Sequence, residues 1–147
     1  MSERRYIRAT VFERAFNAVP AFLARLGISV YGSRLLAVRG RKSGEWRTVP
    51  VNLLELDGAR YLVAPRGETD WVRNLRASGG GELRLGARRQ AFRAAEVADT
   101  EKIPLLRAYI RRWWFEVKRF FDLSGPEASD DELARVAPQH PVFRVET

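Results

Sequence analysis

Two loops carry the residues best able to do chemistry. The first runs Arg39-Gly40-Arg41-Lys42-Ser43-Gly44-Glu45-Trp46-Arg47, with four basic side chains around two glycines. Glycine lets the backbone come close to a ligand, and arginine and lysine supply donors for phosphate or carboxylate. The order is not that of a P-loop, because G-x-x-x-x-G-K-[ST] is absent. The same composition also suits an exposed hairpin end whose charges are simply solvated. The second loop is Ala64-Pro65-Arg66-Gly67-Glu68-Thr69-Asp70-Trp71. Here a strand gives way to a Pro/Gly turn and then to a helix start, where free N–H groups and partial positive charge favour oxygen-rich groups. Trp71 and Asn74, three apart, share a helix face. Both also suit plain structural roles.

Other chemistries lack residues. The chain has no cysteine and one histidine, His140. Thiolate nucleophiles, iron–sulfur clusters, cysteine-ligated zinc and multi-histidine metal sites are therefore excluded, and no metal is expected. A Ser-His-Asp triad would have to use His140, which precedes Pro141 with no evident base or nucleophile beside it. Asp130, Asp131 and Glu132 suit the first turn of a helix, where acids complement the dipole.

The 147 residues carry a formal net charge of +8, with 26 Lys+Arg against 18 Asp+Glu. Twenty-three of the basic residues are arginine, the side chain suited to planar, bidentate anions. Codon usage in GC-rich genomes also raises arginine, so charge alone names no partner. No run approaches the ~18 apolar residues a membrane-spanning helix needs, and no secretory signal is evident. The expected location is the cytoplasm.

These loops need a frame. Residues 4–27 show helical spacing through Ile7, Val11, Phe12, Phe16, Val19, Phe22 and Leu23, with arginines largely elsewhere. Such a basic amphipathic helix either packs on the domain or rests on an anionic bilayer. Strands are expected over 35–39, 46–56 and 60–64, with Asp57-Gly58 as a hairpin turn. Pro50 inside the second strand implies an edge or a bulge, a place where a flat ring could lie. A short helix over 71–76, capped by Thr69 or Asp70, is expected to end in Ser78-Gly79-Gly80-Gly81. A second hairpin over 82–85 and 90–97 follows. The longest helix spans 101–122, with a stripe through Leu106, Ile110, Trp113, Val117, Phe120 and Phe121. Ser129 and Glu132 form a capping box, and 141–145 is a last strand. Hairpin-linked strands without βαβ alternation predict an α+β fold with an antiparallel sheet or small barrel.

The run Gly40-Arg41-Lys42-Ser43-Gly44, then Arg47, then Pro50, resembles the G-R-[KR]-[ST]-G-x-x-R-x-x-P signature of the deazaflavin (coenzyme F420)-dependent nitroreductase and quinone reductase family. Leu62-Val63-Ala64-Pro65-Arg66-Gly67 followed by Trp71-Val72-Arg73-Asn74-Leu75 is similar to its strand–turn–helix ending in W-x-x-N-L. The similarity covers about residues 35–97.

The resemblance implies a single split β-barrel domain over 1–147 with flanking helices: an N-terminal helix (1–28), a barrel core (34–98), a long helix (100–123) and a final strand (140–146). It implies binding of coenzyme F420, an 8-hydroxy-5-deazaflavin with a polyanionic tail, in preference to FMN. By carry-over, Arg41, Lys42, Ser43 and Arg47 would hold the phosphate and tail. Thr48, Val49, Pro50, Val51 and Asn52 would run beside the ring. Val63, Ala64, Pro65 and Arg66, with Asp70, Trp71, Val72, Arg73 and Asn74, would close the other side. The turn from Gly67 to Trp71 is shorter than in the well-known nitroreductase members, and their substrate-side tyrosines have no recognisable counterpart. The long helix offers Tyr109, Trp113 and Trp114 instead, with Trp113 the expected core residue and Trp114 at the margin.

The implied activity is hydride transfer between reduced deazaflavin and a quinone-like or nitroaromatic acceptor, with the proton donor unassigned. A non-catalytic carrier of deazaflavin, or of an apolar ligand such as a fatty acid, would use the same residues. A nucleic-acid module would need aromatics exposed among the basic residues, whereas most here follow core periodicity, so nucleic acid is not an expected partner. Monomer and homodimer both remain open.

Overall fold

The computed structural model describes residues 32–147. The helix expected over 4–27, and the bilayer contact it would make, fall outside the described residues. Six strands are present: β1 (Ser33–Arg39), β2 (Trp46–Leu56), β3 (Ala59–Val63), β4 (Gly80–Leu85), β5 (Arg88–Glu96) and β6 (Val142–Glu146). They close into an antiparallel barrel in the order β1-β2-β3-β6-β5-β4. Among the described residues three helices flank it: α1 (Asp70–Ser78), α2 (Ile103–Val117) and α3 (Asp130–Val136). The α+β antiparallel barrel expected from the sequence is the fold observed.

Local chemistry sets the turns. Asp57 and Gly58 both have positive φ, 52° and 79°, the conformation that a two-residue hairpin turn matched to strand twist requires. Gly79 caps α1 with φ 76°. Gly80 and Gly81 were expected to end that helix as a turn, but they open β4. A Cβ on Gly80 would lie 2.2 Å from the Phe92 carbonyl oxygen, and one on Gly81 would lie 2.4 Å from that of Ala37. Glycine is there because β4 is pressed tightly between β5 and β1.

Period-two alternation builds the barrel interior. Leu36, Val38, Leu53, Leu62, Leu83, Phe92, Phe143 and Val145 fill it, and Val72 and Leu75 of α1 plug one end. A second core lies outside the barrel, where Leu54, Val63 and Val142 meet α2 and α3 through Leu106, Tyr109, Ile110, Trp113, Leu133 and Val136. The long helix is shorter than the expected 101–122. Its backbone leaves helical geometry at Trp113 (φ −121°, ψ 23°) and ends at Val117 in a 3-10 turn, Lys118–Phe120. The Ser129–Glu132 capping box forms as expected. His140 is fully buried and stacked on Phe121 with ring centroids 4.0 Å apart, and its Nδ1 lies 3.3 Å from the Ala64 carbonyl oxygen.

Candidate active site

The sequence places a proline in β2, and the barrel explains how it is tolerated. β2 pairs with β1 along Trp46–Asn52, with Pro50 opposite Leu35. Its ladder to β3 covers only Leu53 to Leu56 and stops at Leu53↔Leu62. The other edge of β2 from Trp46 to Asn52 is therefore unpaired with β3, and a proline can sit there without breaking a ladder. Beyond the break, Val63 pairs with Val142 of β6, and the Ala64 N–H donates to the Pro141 carbonyl at 2.8 Å. The barrel is thus split between the first half of β2 and the turn that leads from β3 into α1.

The basic loop lies at the start of this split. The Gly40 N–H donates to Glu45 O and the Gly44 N–H to Gly40 O, both at 2.8 Å. Gly44 has φ 73°, and Ser43 Oγ accepts from the Glu45 N–H at 3.2 Å. A Cβ on Gly40 would meet Ser43 Oγ at 2.8 Å, so the turn is closed around that glycine. Arg39 and Arg84 both lie over the Trp46 ring, at 4.2 and 5.2 Å from its centroid.

The loop is fastened to α1 through one side chain. Asn74 is buried, and its Oδ1 accepts from the Arg41 backbone N–H at 3.0 Å and from Arg41 Nη1 at 2.8 Å. Arg41 Nη2 also lies 3.5 Å from Asp70 Oδ1 at the start of α1. Arg41 is thereby committed within the protein. Lys42, Arg47 and Arg73 are exposed and have no ion pair among the described residues. A group of cations left without carboxylates is electrostatically suited to an anionic ligand.

The turn into α1 is held from behind. Arg76, in the last turn of α1, donates through Nε and Nη2 to both carboxylate oxygens of Glu96 at 2.7 Å. Its Nη1 donates to Glu68 at 2.6 Å. Hydrogen bonding to Glu96 is the chief reason the Arg76 pKa rises above its ordinary value. Glu68 is buried in the turn, and its charge is paired with Arg76. Thr69 caps α1 by position but not by its side chain, and its hydroxyl is buried with no hydrogen-bond partner among the described residues.

The other expected residues divide by what they touch. Val49, Val51, Ala64 and Trp71 pack on the barrel core, with the Trp71 and Phe143 centroids 6.2 Å apart. Val72 is fully buried. Val63 packs under α2, and Thr48 is exposed. Pro65 and Arg66 occupy the turn, half-buried. Asn52 faces α2 and donates to Glu116 Oε1 at 3.2 Å. Asn52 also hydrogen-bonds the Tyr109 hydroxyl, while burial first and the Glu116 charge second push that phenol far above its ordinary pKa. Tyr109 and Trp113 are core residues with centroids 4.9 Å apart. Trp114 is half-buried at the core margin. Sequence reasoning missed Glu116, Glu68, Arg76 and Glu96, because exposed-looking charges give no pairing signal until the fold brings them together. Among the described residues no group of three His, Cys, Asp or Glu could hold a metal ion.

Comparison with known proteins gives this geometry a context. An F420-H2 dependent reductase of known structure matches at 22% identity, covering 78% of this chain and 94% of its own, with a TM-score of 0.52. An FAD-binding protein from Mesorhizobium loti matches at 14% identity over 86% of this chain and 87% of its own, with a TM-score of 0.51. A heme binding protein from Mycobacterium smegmatis matches at 16% over 95% and 52%, with a TM-score of 0.52. At these identities the likeness is one of fold, and the barrel carries different ligands in different proteins. No curated protein matches the chain. A family model matches residues 14–120, a span that contains both loops, the split and all of α2. The chain belongs to the F420H(2)-dependent quinone reductase family.

Proposed function

We propose that the protein is an F420-dependent reductase that passes a hydride from reduced deazaflavin to a quinone-like or nitroaromatic acceptor. The observation that carries this reading is the split beside β2. It is flanked by a basic loop whose Lys42 and Arg47 have no ion pair among the described residues. A planar ring with a polyanionic tail needs those two features together, a slot bordered by unpaired backbone and cations at its end. The residues present fit such a group. Family membership and the F420-H2 dependence of a protein with the same barrel support the assignment over FMN.

In this reading Lys42 and Arg47 hold the phosphate and carboxylates of the tail. Arg41 and Ser43 keep the loop in the shape that presents them, with Asn74 anchoring Arg41. The β2 residues Thr48, Val49, Pro50, Val51 and Asn52 border the ring. Val63 to Arg66 and the start of α1, Asp70 to Asn74, form the facing wall. When bound, the cofactor supplies the hydride; the protein contributes orientation and electrostatics. Asn52, fixed by Glu116 and Tyr109, presents a hydrogen-bonding amide where the slot meets α2. Trp114, at the margin of α2, offers a ring for a flat acceptor to stack on, worth about 0.5–1.5 kcal/mol beyond burial.

Anaerobic mixing of the protein with reduced F420 and menadione tests the activity. Protein-dependent recovery of oxidised deazaflavin absorbance is expected. Tight F420 binding with no turnover across quinones and nitroaromatics would instead make the protein a carrier.

A further inference from the structure

The end of the split nearest α2 carries an acid that the proposed site uses only to hold Asn52. β2 has no β3 partner up to Asn52, the last residue before that ladder begins at Leu53. Asn52 Nδ2 donates to Glu116 Oε1 at 3.2 Å. A carboxylate only accepts, so the amide group facing it is the NH2. Behind Asn52 stands Tyr109, 2% exposed, which Asn52 also hydrogen-bonds. Burial first, and the Glu116 charge second, hold that phenol far above its ordinary pKa, so it stays neutral. Glu116 is thus fastened to a buried support and is itself exposed. The acids on the facing wall are engaged: Asp70 lies 3.5 Å from Arg41 Nη2, and Glu68 lies 2.6 Å from Arg76 Nη1. Glu116 has no ion pair among the described residues, and Asn52 supplies the one hydrogen bond it takes there. An ionised carboxylate offers about four acceptor positions, so capacity remains for a donor from outside the chain.

We infer that Glu116 is a specificity-determining residue for the acceptor: its carboxylate accepts a hydrogen bond from a neutral hydroxyl carried beside the acceptor ring, which makes hydroxyl-bearing quinones the preferred class. The inference rests on the reductase reading and adds the substituent chemistry of the acceptor to it. Position supports it, because the residue that holds Glu116 is itself on the β2 border of the slot. Charge selects a neutral donor over a cation. Lys42 and Arg47, without ion pairs among the described residues, border the same split, and the chain carries a net charge of +8. A cationic acceptor is repelled there and a neutral one is not. A site that holds a partner for a hydroxyl favours the molecule that has one, because without it that partner is left unpaired once the ligand has excluded water. Asn52 and Tyr109 act through Glu116 and are positioning residues for this contact. No bond is made or broken at Glu116.

Two acceptors that differ by one hydroxyl test it: menadione, which is 2-methyl-1,4-naphthoquinone, and its 2-hydroxymethyl analogue. Calorimetric titration of each into the full chain, with and without saturating oxidised F420, which cannot reduce them, measures affinity apart from turnover. The hydroxymethyl compound should bind about five- to tenfold more tightly. Glu116→Ala should bring that ratio close to one, Glu116→Asp should keep part of it, and Asn52→Ala should lower it. With reduced F420, kcat/KM for the two quinones should show the same preference, and Glu116→Ala should lose it mainly through KM. A merely structural role would lower the thermal melt of Glu116→Ala and leave the ratio intact. Equal affinity of the native chain for both quinones, or a ratio that survives Glu116→Ala, would overturn the inference, and turnover of menadione would then still uphold the reductase reading. Tighter binding of a 2-aminomethyl analogue, or no binding of any of these quinones, would also overturn it. Absence of F420 binding would refute the reductase reading, while the titrations without cofactor would still decide the hydroxyl preference.

Discussion

Asn74 Oδ1 accepts two hydrogen bonds from Arg41, one from its backbone N–H and one from its guanidinium, at 3.0 and 2.8 Å. This residue pair joins the basic loop to the helix across the mouth of the split, and it fixes where Lys42 and Arg47 stand. Asn74→Ala should free the loop. A hydrogen bond to a charged group contributes about 1.5–3 kcal/mol, so F420 affinity should fall by about tenfold or more. Calorimetric titration checks this, and an unchanged Kd would separate the loop from the helix in function.

Lys42→Ala and Arg47→Ala should each weaken F420 binding by about 10- to 150-fold, the equivalent of one charge-assisted contact. Neither side chain has an ion pair among the described residues, so thermal stability should stay nearly constant. A melt lowered by many degrees with unchanged affinity would make these residues structural.

Arg76 predicts the opposite pattern. Arg76→Ala strands Glu68, which is buried with its carboxylate facing the missing guanidinium. A loss of about 2 kcal/mol is expected, less than for a fully buried pair because Arg76 itself is partly solvated. Adding Glu68→Gln should recover part of that loss, which a double-mutant cycle in denaturant measures. Strictly additive losses would mean that the pair is not coupled.

On the substrate side, Trp114→Ala should raise the acceptor KM and leave F420 affinity nearly intact. Trp113→Ala should instead destabilise by about 3–5 kcal/mol, because Trp113 is 3% exposed in the outer core. Loss of stability in Trp114→Ala with unchanged acceptor kinetics would move Trp114 into the core.

Glu132 gives a pH signature away from the site. The Ser124 and Ser129 N–H groups and the Ser124 hydroxyl donate to its carboxylate at 2.9, 3.0 and 2.9 Å, which lowers its pKa. A depressed carboxyl pKa adds stability above its unfolded value, about 4.3, and that stability disappears as pH falls through the folded value. The native chain should therefore exceed Glu132→Gln in stability at neutral pH, and the gap should close on acidification below about pH 4.3. A gap that persists in acid would exclude this carboxylate as its source.

Legibility in the sequence followed the range of the interactions involved. The Asp57-Gly58 turn, the Ser129–Glu132 box and β2 from Trp46 to Leu56 are local chemistry, and the structure has them where the pattern put them. Pro50 signalled an edge, and the ladder break at Leu53↔Leu62 is that edge. Gly80 and Gly81 read as a turn because nothing local reveals how closely Phe92 and Ala37 approach. The partnership of Glu68, Arg76 and Glu96 joins the turn before α1, α1 itself and β5, and that of Asn52 with Glu116 spans 64 residues. Such pairs exist only once the barrel has closed.

Titration with F420 and with FMN under the same conditions, followed by fluorescence, measures whether the split and its basic loop hold a deazaflavin. Binding of F420 should be saturable, tighter than that of FMN, and weakened in Lys42→Ala and Arg47→Ala. FMN binding as tightly as F420, or F420 binding that ignores both substitutions, would contradict it.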